Sequence, residues 1–282
     1  MKLASFKVAH GYSYGLVHGS SVIDVGRRLG ARFPTLRSAV AANAFSVIAK
    51  EAQGAAADYP LSSLELLPPI ADPDKIICVG RNYKAHVAEG NNPLPKHPML
   101  FVRLRSTLVA HEQPMICPKV SHQFDYEGEL AVIIGKPGRH IPKANAFEHI
   151  AGYSCFNDGS IRDYQFNHAL TTGKNFPGTG PFGPFLVTSD EIPDPTRLVL
   201  TTRLNGMEVQ HSGVDQLIFD IPTLIEYIST FTPLDAGDVI TTGTPEGVAF
   251  ARKPPLWMKP GDVVEVDISG IGVLRNPVIA EA

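Results

Sequence analysis

The stretch DYEGELAVIIG, residues 125–135, has the alternating pattern of a β-strand and places two acids beside apolar residues. Successive side chains of a strand point to opposite faces, so Glu127 and Glu129 would share one face with Ala131. Neighbouring carboxylates repel each other, and burial strengthens the repulsion unless a proton or a cation intervenes. Because hard divalent ions prefer oxygen ligands, the pair indicates a site for magnesium, manganese or calcium. The alternative is an exposed edge strand with two solvated glutamates.

The composition limits the class of protein. The chain has 282 residues, enough to bury a sizeable core. Its net charge of −3 argues against a surface for nucleic acid or membrane. The N-terminus lacks the long apolar run of a signal peptide, and no segment approaches the length of a transmembrane helix. The three cysteines form no CxxC pair and are typical of reduced thiols, which predicts a cytoplasmic protein.

A cluster of prolines at residues 68–73 is the clearest boundary in the chain. It predicts a small N-terminal α+β domain over residues 1–70 and a larger β-rich domain over residues 71–282. In the smaller domain, a helical stretch is expected to begin near Thr35, a suitable N-cap residue, and to continue to about residue 57.

The pattern of the larger domain predicts many strands and few helices. An amphipathic helix is expected over residues 220–229, and a short helix over residues 144–151 with Gly152 as its C-cap. Residues 159–184 are predicted to be mostly loop. The predicted strands include residues 75–80, 100–103, 153–157, 198–204, 238–242 and 263–268.

Residues 178–183, GTGPFG, match the GxGxxG pattern of dinucleotide-binding sites letter for letter. Such a site requires a strand before the motif and a helix after it. Here prolines lie in and around the motif and a strand is predicted to follow. We therefore expect a loop that binds no dinucleotide.

A third acid, Asp158, directly follows the strand predicted at residues 153–157. Taken alone, such an acid more often caps a turn. Together with Glu127 and Glu129 it would complete a three-carboxylate site that leaves positions open for water and substrate. Arg162 and Lys174 would balance the excess negative charge and hold an anionic substrate.

His86 and Glu89 are three residues apart, so one helical turn would place them on the same face. A histidine ring that a carboxylate orients can act as a general base near neutral pH. The pair therefore predicts proton transfer near the acidic site.

Six segments carry a resemblance that covers roughly residues 72–278. In this order they are GRNYKAHVAE, DYEGELAVIIG, ND–S–RDYQ, GK–F–GPFGP, NG–VQ and TGTPEGV. As a set they resemble the fumarylacetoacetate hydrolase family, which includes acylpyruvases and the isomerase/decarboxylases of the homoprotocatechuate pathway.

The resemblance implies a fold and a set of site residues. The fold would be a mixed β-roll or β-sandwich with a small N-terminal domain, and the protein would be a homodimer. The metal ligands would be Glu127, Glu129 and Asp158, holding Mg²⁺, Mn²⁺ or Ca²⁺. The other implied site residues are the water-activating pair His86 and Glu89 on a lid, Lys174 as the group that stabilises negative charge, and Arg162, Gln165 and Thr244 in the substrate pocket.

Two further expectations concern the pocket. Tyr83 lies next to the expected lid in sequence and is a candidate for substrate contact. Gly159 and Ile161 replace residues of a Val-Ser-Ala-type run that many relatives carry, and this difference is expected to reshape the pocket.

These residues lead to three hypotheses for function. The first is a divalent-metal-dependent hydrolase that cleaves a C–C bond in a 1,3-diketo acid, acylpyruvate-like or fumarylacetoacetate-like, through an enolate held by the metal. The second is an isomerase or decarboxylase of a 5-carboxymethyl-2-hydroxymuconate-type diacid in aromatic catabolism. The third is a noncatalytic binding module. The expected partner of either enzyme is a small keto or enol carboxylate.

Overall fold

A computed structural model describes residues 1–9 and 11–282 of the chain. The strands are β1 (Lys2–Val8), β2 (Gly11–His18), β3 (Ser21–Asp24), β4 (Tyr59–Pro60), β5 (Leu66–Leu67), β6 (Ile76–Gly80), β7 (Met99–Val102), β8 (Leu108–Val109), β9 (Met115–Cys117), β10 (Phe124–Asp125), β11 (Gly128–Ile134), β12 (Ile150–Asn157), β13 (Ser160–Ile161), β14 (Gly180–Thr188), β15 (Val199–Leu204), β16 (Met207–Gly213), β17 (Val239–Thr241), β18 (Val263–Ile268) and β19 (Gly272–Ala280). The α-helices are α1 (Gly26–Leu29), α2 (Leu36–Ala41), α3 (Phe45–Ala52), α4 (Lys84–Glu89), α5 (Arg162–Asn167), α6 (Leu170–Lys174) and α7 (Ile221–Phe231). Across the described residues, every helix is too short or too polar to cross a lipid bilayer.

A sheet of twelve strands forms the centre of the fold. Its main path runs β4-β3-β2-β1-β14-β12-β11-β17-β6-β7, with β5 beside β1 and β8 beside β14. Residues 128–134 of the acidic stretch form β11, which lies between β12 and β17, whereas Asp125 belongs to β10 and Glu127 lies between the two strands. Every residue of β11 is buried. The alternative of an exposed edge strand is therefore wrong, because partner strands cover both of its edges.

Apolar layers cover both faces of this sheet. On one face, Leu130 and Val132 of β11 pack with α7 and with a second sheet of order β16-β15-β18-β19-β9. On the other face, Ala131 and Ile133 belong to a core that includes residues of α2 and α3. The predicted alternation of β11 is confirmed, and each face has its own core.

The N-terminal residues join this central sheet. Strand β1 pairs antiparallel with β14, and the core beside Ile133 contains side chains from both parts of the chain. The domain boundary near residue 70 stays a prediction. Thr35 caps α2 as expected, but the helical stretch is broken at Asn43, whose φ of 48° is left-handed. The backbone therefore turns between α2 and α3 where one helix was predicted.

Several predicted elements are confirmed and others are wrong. The strands over residues 75–80, 153–157 and 198–204 are present, and Asp220 caps the predicted helix α7. The loop prediction for residues 159–184 is wrong, because this segment contains α5, α6 and the first residues of β14. Gly152 lies inside β12, where no side chain would fit against β14, and does not end a helix.

The close approach at Gly152 gives a test of the central sheet. A methyl group at this position would overlap the carbonyl oxygen of Val187, which cannot rotate away because β14 holds it. We expect Gly152→Ala to lower the free energy of unfolding by about 1–3 kcal/mol. Ser154→Ala is the matched control, since Ser154 Oγ is buried without a hydrogen-bond partner among the described residues.

Denaturant unfolding followed by circular dichroism would measure both variants. Removing the unpaired hydroxyl of Ser154 should leave stability unchanged or raise it slightly. Equal losses in the two variants would contradict the steric explanation.

Candidate metal centre and substrate cavity

Strand register brings the three predicted ligands together. Gly128 of β11 faces Asn157 of β12, and one step further the N–H of Asp158 donates to the carbonyl of Glu127 at 2.8 Å. Facing residues of antiparallel strands project to the same side, and so does the residue two positions along, Glu129. One carboxylate oxygen from each acid lies within 4.8 Å of the other two. All three acids are buried.

Three buried cations compensate this concentration of negative charge. Lys174 Nζ donates to Glu127 Oε2 and to Asp158 Oδ2, both at 2.6 Å. Arg103 donates to Asp158 Oδ1 at 2.5 Å. Arg162 donates to Glu127 and, through Nε, to a fourth buried carboxylate, Asp125, at 2.8 Å.

The carboxylates differ in how far neighbouring cations offset their negative charge. Burial alone would raise the pKa of Glu127, but Arg162 and Lys174 outweigh it and hold that pKa below its usual range. Burial raises the pKa of Glu129 well above its usual range, and the Asp158 and Glu127 carboxylates raise it further. Glu129 accepts the N–H of Gly243 at 2.9 Å.

This donor set suits a divalent cation. Glu127, Glu129 and Asp158 offer hard anionic oxygens, the ligands that magnesium, manganese and calcium favour. Glu129 forms no ion pair with any described lysine, arginine or histidine, so it is the acid that most lacks a positive neighbour. A +2 ion at the cluster would supply that charge.

Two residues of this network were missed by the sequence reasoning. Arg103 follows β7, and its guanidinium also bonds to the carbonyl of Gly159 and to Thr179. No local pattern indicates that partner, because Asp158 is 55 residues away in the chain. Asp125 could have been found, since it shares the odd-numbered alternation of Glu127. Its carboxylate also accepts the N–H of Ala249 at 2.7 Å.

The predicted histidine pair forms on helix α4. His86 Nδ1 lies 2.7 Å from Glu89 Oε1, and the other oxygen of Glu89 accepts the N–H of Gly247 at 2.9 Å. Glu89 therefore fixes the ring of His86 through Nδ1, and Nε2 is the nitrogen that remains for a substrate proton. The predicted spacing on one helical turn is confirmed.

A cavity of about 520 Å³ joins the histidine to two of the three acids, Glu127 and Glu129. The predicted site residues among its lining are His86, Glu127, Glu129, Arg162, Gln165, Lys174 and Thr244. Further lining residues are Arg81, Asn92 and the apolar side chains of Met99, Phe101, Phe166, Leu170 and Phe250. One concave space thus contains carboxylates, cations, a histidine and an apolar wall, which are the parts of a small-molecule site.

Several lining residues are already engaged with protein atoms. Gln165 Oε1 accepts from Arg162 at 2.8 Å. The hydroxyl of Thr244 donates to the carbonyl of Gly128 and accepts from Gln210. Their polar atoms thus support the acidic strand and its arginine, in addition to lining the cavity.

Three predicted pocket residues lie elsewhere. Tyr83 is 1% exposed, precedes α4 and does not line the cavity, so its observed environment is the packed interior instead of the substrate space. Gly159 packs against the carbonyl of Thr179, and Ile161 lies in an apolar core. Neither Gly159 nor Ile161 lines the cavity, and the expected reshaping of the pocket by these residues stays a prediction.

The amino-acid sequence has clear relatives among known proteins. Residues 75–279 match the family described as Fumarylacetoacetate (FAA) hydrolase C-terminal. The chain is 43% identical over 221 residues to the Xenopus laevis protein named Oxaloacetate tautomerase fahd2, mitochondrial. That alignment covers 77% of this chain and 69% of the relative.

Solved structures share the whole fold. A fumarylacetoacetate hydrolase from Exiguobacterium antarcticum superimposes with a TM-score of 0.83 at 34% identity, with 100% of each chain covered. A maleylpyruvate hydrolase from Sphingobium sp. SYK-6, in complex with manganese(II) ion and pyruvate, gives a TM-score of 0.84 at 28% identity, again with 100% of each chain covered. The predicted β-rich α+β fold and the family resemblance are both confirmed, and this chain belongs to the fumarylacetoacetate hydrolase family.

Proposed function

We propose that this protein is a divalent-metal-dependent enzyme that interconverts the keto and enol forms of a short 2-oxo dicarboxylate such as oxaloacetate. The observation that carries the proposal is a histidine, oriented by a carboxylate, in the same cavity as Glu127 and Glu129, two of the three converging acids. The tautomerase relative at 43% identity supports this choice of reaction.

Glu127, Glu129 and Asp158 would hold Mg²⁺, Mn²⁺ or Ca²⁺. When bound, such an ion supplies Lewis acidity, which polarises a carbonyl group and makes the neighbouring C–H more acidic. The manganese in the Sphingobium relative supports a divalent ion in a protein of this fold. Lys174 and Arg162 keep Glu127 ionised, so this ligand is ready near neutral pH.

His86 would move the proton. In the keto-to-enol direction, Nε2 accepts a proton from the carbon beside the keto group, and the C–H electron pair becomes the new C=C bond. The proton then ends on the former keto oxygen, and the reverse sequence restores the ketone. Glu89 stabilises the imidazolium that forms in between, and the Gly247 N–H holds Glu89 in place.

The hydrolysis of a 1,3-diketo acid is the second candidate. The same His86–Glu89 pair could take a proton from water, whose oxygen would then attack the carbonyl carbon of the acyl group. The C–C bond would break with its electron pair on the departing pyruvate-type enolate, which would take the proton back from His86. Lys174, whose pKa is raised because Asp158 and Glu127 outweigh the effect of burial, would remain a cation near the developing charge. The maleylpyruvate hydrolase with the same fold supports this alternative.

Two other hypotheses follow from the sequence. Isomerisation or decarboxylation of a hydroxymuconate-type diacid would use the same acids, and nothing in the cavity favours it over tautomerisation. A noncatalytic module would need neither the oriented histidine nor the buried acids together. A homodimer and a cytoplasmic location stay predictions.

Side-by-side assays test the proposal. With Mg²⁺ or Mn²⁺ present, the protein should accelerate the loss of the enol absorbance of oxaloacetate, and chelation of the metal should abolish the effect. Acetylpyruvate cleavage, followed through the release of pyruvate, measures the second candidate. Cleavage of acetylpyruvate without any acceleration of oxaloacetate ketonisation would replace the first proposal with the second.

His86→Ala should separate proton transfer from metal binding. Because His86 is outside the acidic cluster, its loss should lower the catalysed rate by roughly 10²- to 10⁴-fold and leave Mn²⁺ affinity unchanged. His122→Ala, a change at an exposed histidine outside the cavity, is the control. Parallel loss of rate and Mn²⁺ affinity in His86→Ala would show that the base is wrongly assigned.

Glu129→Gln should test the metal centre. The substitution removes one anionic ligand but keeps the side-chain shape, so the protein should still fold. We expect Mn²⁺ binding, measured by isothermal titration calorimetry, to weaken by roughly a hundredfold or more. Substitution of residues that only hydrogen-bond to metal ligands already lowers metal affinity by up to roughly a hundredfold. Undiminished Mn²⁺ affinity in a folded variant would exclude Glu129 as a ligand.

A further inference from the structure

The cations that line the cavity differ in whether protein acids already neutralise them. Lys174 bonds to two carboxylates, and Arg162 bonds to two carboxylates and to Gln165. His86 is paired with Glu89. Arg81 also lines the cavity and is exposed, and within the described part of the chain it has no carboxylate at ion-pair distance.

The backbone holds Arg81 in a defined place. Its φ of 56° is uncommon for a residue with a side chain. The next residue, Asn82, is fully buried and fixes this turn: its amide donates to the carbonyls of Phe219 and Thr242 and accepts the N–H of Phe219 at 2.8 Å, while its own carbonyl accepts the N–H of Ile218. The backbone that carries this cation is therefore already fixed before a ligand binds, and only the side chain has to be ordered.

We propose that Arg81 binds the second carboxylate of a dicarboxylate substrate, the one remote from the 2-oxo group, and so selects dicarboxylates over monocarboxylates. This inference rests on the proposed function for the end of the ligand that meets the acidic cluster. An anionic group in the cavity needs a positive partner, because burying it unpaired is costly. Lys174 and Arg162 already form ion pairs with Glu127, Asp125 and Asp158. Arg81 is therefore the cation that remains to pair with the ligand.

The residues that line the cavity agree with a preference for dicarboxylates. Its apolar wall, formed by Met99, Phe101, Phe166 and Phe250, offers no hydrogen bond to a carboxylate. The guanidinium of arginine can bind a carboxylate through two parallel hydrogen bonds, which gives orientation as well as attraction. A monocarboxylate such as pyruvate would leave Arg81 without a partner.

A binding experiment with two unreactive ligands tests the inference. L-malate and L-lactate share a 2-hydroxy carboxylate end, and malate adds the second carboxylate. In the presence of MnCl₂, calorimetry should show that the wild-type protein binds malate more tightly than lactate by roughly tenfold to a hundredfold, the range expected for a charge-assisted hydrogen bond. Arg81→Gln should remove this preference and leave lactate binding unchanged.

Two further variants make the result specific. Arg81→Lys should keep part of the preference, since it retains the charge but loses the two-pronged geometry. Arg139→Gln removes an exposed arginine that does not line the cavity and should keep the full preference. Circular dichroism would confirm that each variant is folded.

The outcomes separate this inference from the proposed function. A wild-type protein that binds malate no better than lactate, or an Arg81→Gln protein that keeps the preference, would overturn the role of Arg81. Equal weakening of both ligands in Arg81→Gln would assign Arg81 to the shared carboxylate and would also overturn it. A malate preference that depends on Arg81, in a protein without tautomerase activity, would support the inference and reject the proposed reaction.

Discussion

The burial of four carboxylates around the first residues of β11 is the constraint on which the rest of the site depends. Charges of one sign cannot be packed together in an apolar interior unless partners lie close. Arg103 after β7, Arg162 on α5 and Lys174 on α6 supply those partners from three separate elements. The elements around the cavity are therefore held by ion pairs to the same acids that would bind the metal.

Local patterns predicted much of the site because its chemistry follows strand and helix periodicity. Alternation placed Glu127 and Glu129 on one face, and a spacing of three placed His86 beside Glu89. Arg103 could not be predicted, since its partner is set by sheet order and not by neighbours in sequence. Helices α5 and α6 were missed for a related reason: each has six residues or fewer, too short to be stable alone, and buried ion pairs hold them in place.

Elements with a clear local sequence pattern were predicted correctly. Elements whose ends depend on contacts with distant parts of the chain were predicted less well. Asp220 and a clear apolar stripe indicated α7, and the structure shows that helix. The single helix expected after Thr35 is instead two helices, because the chain turns at Asn43 to lay both against the central sheet. Gly152 had the residue type of a helix end, yet the approach of β14 explains why that position has no side chain.

The position of β11 at the centre of the sheet has an evolutionary consequence. Glu129 and the core residues that follow it belong to one strand with neighbours on both edges and both faces, so a change there would disturb packing and chemistry together. The cavity residues Arg81, Asn92 and Phe250 lie outside the β-strands, where replacements displace less of the core. Related proteins of this architecture can thus diverge in the molecules that they accept while the buried acids stay the same.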